Sequence, residues 1–114
     1  MVEEEELVEK IFNFLSCTEQ QTLSFIQEVL DDIKLFDEKQ RDYGPGNIAA
    51  FGEIGVLVRA NDKVARLINL LWTRPSHDEE PTNESIKDSW QDLSVYGVIA
   101  RLVRKGKWLT GPQK

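Results

Sequence analysis

Residues 18–46 read TEQQTLSFIQEVLDDIKLFDEKQRDYGPG, and this stretch decides the fold class. Thr18 and Gln21 stand at the spacing of a capping box, in which two side chains satisfy free backbone N–H groups at a helix start. Behind them Leu23, Ile26, Leu30, Ile33 and Phe36 recur at intervals of three and four, the period of an α-helix. The pattern stops where Gly44, Pro45 and Gly46 forbid continuation. The spacing predicts one long helix from the cap to about residue 42.

The same signals extend in both directions. Upstream, Leu7, Ile11, Phe14 and Leu15 predict a helix over 3–16, with Glu3 to Glu6 in its first turn, where negative charge favours the helix dipole. Downstream, Asn47 can cap a short turn before a third helix over about 53–73. Ile54, Leu57, Val58, Val64, Leu67, Ile68 and Leu71 give that helix an apolar face wide enough for two neighbours. Residues 74–82 are polar and bounded by prolines, which predicts a loop. Asn83 then caps a fourth helix over about 84–104, with Arg101, Arg104 and Lys105 at its C-terminal end and Gly106 as its stop; the chain is expected to fray from Thr110. The fold expected is all-α and four-helix bundle-like, a single domain over residues 1–114, since one core of this size buries roughly two-thirds of the unfolded surface.

Composition narrows the function. The net charge of −6 is uneven: residues 1–50 hold 12 acids against 4 bases, residues 51–114 hold 8 against 10. An acidic chain is repelled by nucleic-acid backbones, so no direct nucleic-acid partner is expected. Four glutamates just after Met1 do not make a secretory signal, and the apolar clusters at 54–58 and 67–72 are far short of the ~20 residues that span a bilayer. A cytoplasmic protein without a membrane partner is expected. Cys17, the sole cysteine, forms no internal disulfide and reads as packing.

The chemistry sits on charged rows. Glu84, Asp88 and Asp92 follow one another at steps of four, each step turning only about 40° around a helix. Like charges so spaced destabilise an isolated helix by a few tenths of a kcal/mol per pair, so solvent, nearby cations or a metal must offset them. The same side continues as Val95 and Ile99, toward the core. A metal or cation site and an exposed acidic edge are the two readings. On the second helix Glu28, Asp31, Glu38 and Asp42 form another row, of which Glu38 and Asp42 lie unfavourably at the negative end of the dipole. Two such helices can supply oxygens to Mg²⁺; for Glu28 and Asp31 surface charge is the better reading. On the third helix Arg59, Lys63 and Arg66 share a face. They either form salt bridges to neighbouring helices or neutralise a triphosphate.

Other schemes find little support. His77, the single histidine, stands in the polar loop without an orienting partner, and no Walker-type loop or Gly-x-Gly-x-x-Gly occurs. Trp72, Trp90 and Trp108 suit core or interface packing, with stacking on a nucleobase as the alternative.

Three stretches form a recognisable set: Asp42-Tyr43-Gly44, Asp62-Lys63-Val64-Ala65-Arg66-Leu67, and Glu84-Ser85-Ile86-Lys87-Asp88-Ser89-Trp90-Gln91-Asp92-Leu93 with Tyr96. Together, over about residues 36–100, they resemble the phage and bacterial family called nucleotide modification associated domain 1, which looks related to the MazG-like all-α nucleoside triphosphate pyrophosphohydrolases. The resemblance implies a MazG-like helical architecture, a homodimer or homotetramer, and Mg²⁺ (Mn²⁺ able to substitute) held by carboxylates on two helices. It implies cleavage between the α- and β-phosphates, releasing a monophosphate and pyrophosphate. Glu84, Asp88 and Asp92 would be metal ligands with Asp42 or Glu38 facing them, and Lys63 and Arg66 would lie toward the phosphates. The chain departs from the wider superfamily where a Glu-Glu-x-x-Glu motif is usual, since only Asp37-Glu38 with Asp42 approximates it.

The function expected is hydrolysis of a nucleoside or deoxynucleoside triphosphate, with Glu38 taking the water's proton. The phage-like resemblance points to nucleotide-pool chemistry for modified DNA, with dGTP as first candidate, in the host cytoplasm if phage-encoded. A non-catalytic helical interaction module, or a regulator that binds nucleotide without turnover, is the alternative.

Overall fold

The computed structural model describes residues 2–48, 50–73 and 83–109, and the side chains of all of these except Val2, Asn83 and Glu84. Among the described residues the secondary structure is helical, with no strand: α1 is Val2–Phe14, α2 Gln21–Tyr43, α3 Gly52–Ile68 and α4 Asn83–Arg104. The chain is all-α, and each helix begins and ends close to its expected span. The expected 74–82 loop, His77 within it, and the segment from Thr110 lie outside the described residues.

Local chemistry explains the boundaries. At the end of α4 the N–H of Gly106 donates to the Val103 carbonyl at 3.0 Å, and the N–H of Lys107 to that of Leu102 at 2.9 Å. This pair of bonds is a Schellman motif, with Gly106 in the left-handed region at φ 70°. α2 ends in the simpler form, the Gly44 N–H donating to the Gln40 carbonyl at 3.0 Å. α1 closes with the full motif on a serine: Ser16 donates to Asn13 and Cys17 to Phe12, with Ser16 at φ 57°. The start of α2 differs from expectation. The Thr18 hydroxyl donates to the Glu19 carboxylate at 2.9 Å, and the helix is entered through short-turn bonds from Thr22 N–H to Glu19 O and Leu23 N–H to Gln20 O. The third helix keeps its expected length, but its last part, Asn69–Thr73, widens into a π-helical segment.

The residues cluster into two compact units, Met1–Glu38 and Lys39–Lys114, with the boundary inside the continuous helix α2. In the first unit Val8 and Ile26 are buried, and Glu4 on α1 pairs with Lys34 on α2 at 3.0 Å. Leu7, Phe14 and Leu15, expected on the inner stripe of α1, are exposed instead. Val8 lies about 100° round the helix from Leu7, and Ile11 is half-buried, so the inward arc is turned from Leu7 and Phe14 toward Val8.

In the second unit α3 packs closely against α4. Val56, Leu67 and Ile99 form the buried core with Ser89, whose hydroxyl donates to the Ser85 carbonyl one turn back at 3.0 Å. Val56, Ala60, Lys63 and Leu67 fall on one arc of α3, the arc that meets α4. Ile54 and Val58 lie on the opposite side, and Leu57, Val64 and Ile68 on the flank; all five are exposed. The helix is apolar around more than half its circumference, so periodicity could not say which arc would be covered.

Candidate functional site

Three polar rungs tie α3 to α4 and make the pair antiparallel. Arg66 donates to the Ser85 hydroxyl, Lys63 pairs with Asp92 at 3.0 Å, and Arg104 pairs with Glu53 at 3.2 Å. The middle rung has a third member: Lys39, from the C-terminal part of α2, lies 3.8 Å from the other Asp92 oxygen. One carboxylate thus stands between two ammonium groups from two different helices. The Asp92 side chain is only 15% exposed, those of Lys63 and Lys39 29% and 51%.

The helical drift explains why the α4 row is not uniform. Each step of four turns about 40°, so Asp92 has rotated onto the α3-facing side while Asp88 still faces solvent. Ile99, further along, is buried as expected and Val95 half-buried. Glu84 lies in the first turn of α4, and its side chain is outside the described set. Among the described residues Asp88 makes no ion pair. Asp42 is exposed at the end of α2; Glu38, also exposed, belongs to the first unit.

The cationic row of α3 meets mostly neutral oxygens. Arg59 donates to the Asn47 side-chain carbonyl at 3.3 Å, and Arg66 to a hydroxyl. Lys39 and Lys63 share one carboxylate, Asp92, while Asp62 on α3 and Asp88 on α4 are exposed. The turn after α2 is anchored, because Arg59 reaches Asn47 and the Trp108 indole N–H donates to the Pro45 carbonyl at 2.9 Å.

Lys39, and the contacts that Ser85, Asn47 and Trp108 make, were not among the expected site features. For Lys39 a signal existed: it stands three residues before Asp42, on the same side of α2. The other three act through tertiary neighbours, which spacing along the chain does not reveal.

The resemblance leads one to expect Mg²⁺ here. Among the described residues no three of His, Cys, Asp and Glu converge as a ligand group. Mg²⁺ seldom requires one: it keeps several waters and binds one or two carboxylates together with substrate phosphates. Asp88 and Asp92, one turn apart on α4, are hard oxygen donors of that kind, so the residues present fit the ion in their chemistry. No described helix is long and apolar enough to cross a membrane. No protein-family model, curated protein or solved structure matches the chain.

Proposed function

We propose that this protein is a Mg²⁺-dependent pyrophosphohydrolase of nucleoside or deoxynucleoside triphosphates, with a purine such as dGTP as first candidate. The observation that carries the reading is the meeting of a cationic row on α3 with the carboxylate-bearing side of α4, Lys63 at Asp92 and Arg66 at Ser85. An acidic protein that handles phosphates needs such a meeting, since the anionic substrate requires cations and the metal requires carboxylates. Asp88 and Asp92 would hold the ion, with Glu84 and Asp42 added by the resemblance. When bound, Mg²⁺, or Mn²⁺ in its stead, neutralises charge on the phosphoryl oxygens and lowers the pKa of a coordinated water.

The chain's own groups do the rest. Lys63 offers a point charge and Arg59 and Arg66 planar forks to the non-bridging oxygens of the triphosphate, which fixes the substrate before reaction. Water attacks the α-phosphorus, the bond to the α–β bridging oxygen breaks, and pyrophosphate leaves with the electron pair. The proposal that Glu38 accepts the water's proton rests on sequence alone. Incubation with the eight common NTPs and dNTPs plus Mg²⁺, with products separated chromatographically, tests the reading. A monophosphate and pyrophosphate in equal amounts are expected; no turnover of any of the eight would reject it.

We propose further that the protein works as a homodimer or homotetramer. Phe51, Ile54, Leu57 and Val58 are all more than half exposed, and α3 and α4 share a groove of about 280 Å³ whose lining includes Leu57, Leu93 and Tyr96 with the small residues Ala60, Gly97 and Ala100. Surfaces of this sort on a small chain are usually covered by another protein surface. The same exposure favours the second reading, a non-catalytic interaction module, which predicts neither products nor Mg²⁺-dependent stabilisation.

A further inference from the structure

Asp92 and the two lysines around it carry more than a structural rung. One ammonium suffices to neutralise a carboxylate, yet Lys63 lies 3.0 Å from one Asp92 oxygen and Lys39 3.8 Å from the other. The surplus charge is not buried: the Lys39 side chain is half exposed and its pairing long, so the contact is weak and open to exchange. Arg66, one turn along α3 from Lys63, donates to a neutral hydroxyl. A carboxylate held between two cations presents two oxygens where a phosphate would present three, with less charge.

We infer that Lys39 is a further phosphate-binding residue, and that Asp92 holds the place of a polyphosphate between Lys39 and Lys63 until one binds. On binding, the lysines pass from Asp92 to phosphate oxygens, and the Asp92 carboxylate loses its ion pairs. This deepens the reading of the site as a triphosphate site and rests on it. The exchange gives the site a built-in order, in which the anion's arrival frees the Asp92 carboxylate.

The test is metal-free binding of inorganic tripolyphosphate in EDTA, followed by calorimetry on the full chain. Asp92→Asn removes the internal competitor and is expected to tighten binding at least threefold. Asp62→Asn, which removes an equal charge from an exposed site on α3, is expected to change it less. Lys39→Gln is expected to weaken binding fivefold or more and Lys39→Arg to restore it, whereas Lys10→Gln on α1 should have no effect. Equal tightening by Asp62→Asn and Asp92→Asn, or unchanged affinity in Lys39→Gln, would overturn the inference. Thermal melts by circular dichroism check that Asp92→Asn is folded; Lys39→Gln alters an exposed side chain and decides the matter if it is not. The two readings fail separately. Tripolyphosphate binding with this pattern but no triphosphate turnover leaves the clamp standing and removes the hydrolase; turnover with an unchanged KM in Lys39→Gln does the reverse.

Discussion

At the scale of single residues, Asp88 and Asp92 show how one helical turn separates two roles. Asp92 faces α3 and is neutralised by lysines; Asp88, 40° back, faces solvent with no ion pair among the described residues. Asp88→Asn should therefore leave the apo fold intact or slightly stabilised, because it relieves repulsion along the row. If Asp88 holds Mg²⁺ as proposed, its loss should cost about 4 kcal/mol at the transition state, roughly a thousandfold in turnover. Glu28→Gln, equal in charge but on the exposed part of α2, should do little; equal activity of the two variants in a steady-state assay would remove the metal assignment on α4. A second residue-scale prediction concerns Glu4. The Lys34 hydrogen bond first, and then that of the Gln27 side chain, hold the Glu4 carboxyl below its ordinary 4.5, while Glu4 raises Lys34 above its ordinary 10.5. A lowered acid contributes stability above its unfolded pKa and loses it as pH falls through the folded value; a raised base contributes below its unfolded pKa and loses it as pH rises. The pair thus stabilises between about pH 4.5 and 10.5. Glu4→Gln should lower the melting temperature slightly at pH 7 in low salt, and less as pH falls through the Glu4 titration or as salt rises, since exposed pairs are screened. A loss that does not shrink with falling pH would show that the ion pair is not its source.

At the scale of the element, helix ends were partly legible before the fold was known. Gly44 and Gly106 announced the ends of α2 and α4 because a left-handed residue favours glycine. The end of α1 carried no such mark, because Ser16 takes the left-handed position that glycine would fill at less cost. For a non-glycine residue that conformation costs on the order of 1 kcal/mol. Ser16→Gly should accordingly raise stability by up to about 1 kcal/mol, the gain reduced by the greater freedom of glycine in the unfolded chain. Ser16→Val should lower it by more than that. Urea titrations of the two variants decide the point, and a less stable Ser16→Gly would mean that the serine side chain contributes something the backbone does not. α3 shows the opposite limit of legibility. Its apolar residues cover so much of the circumference that the expected face left out Val56, the most deeply buried apolar residue among those described.

At the scale of the whole molecule, the exposed apolar residues of α3 predict self-association. Phe51 is 85% exposed and Ile54 69%, which a solitary small protein rarely sustains. Light scattering at micromolar concentration should give at least a dimer, and Ile54→Lys with Leu57→Glu should shift it toward monomer with α3 still helical by circular dichroism. A wild-type monomer across that range would count against the proposal. The helical class, the number and span of the helices and two of their three marked C-termini could be read from the sequence, because periodicity, caps and left-handed glycines are local and act within a few residues. The row on α4 and the cations on α3 were legible as spacings for the same reason. Which arc of α3 is covered, that Lys39 joins Lys63 at Asp92, that Arg66 meets Ser85 and that Trp108 fastens the turn at Pro45 were decided by tertiary structure alone. Those contacts join residues 19 to 63 positions apart, and only the packing of one helix on another sets which side chains meet across such gaps.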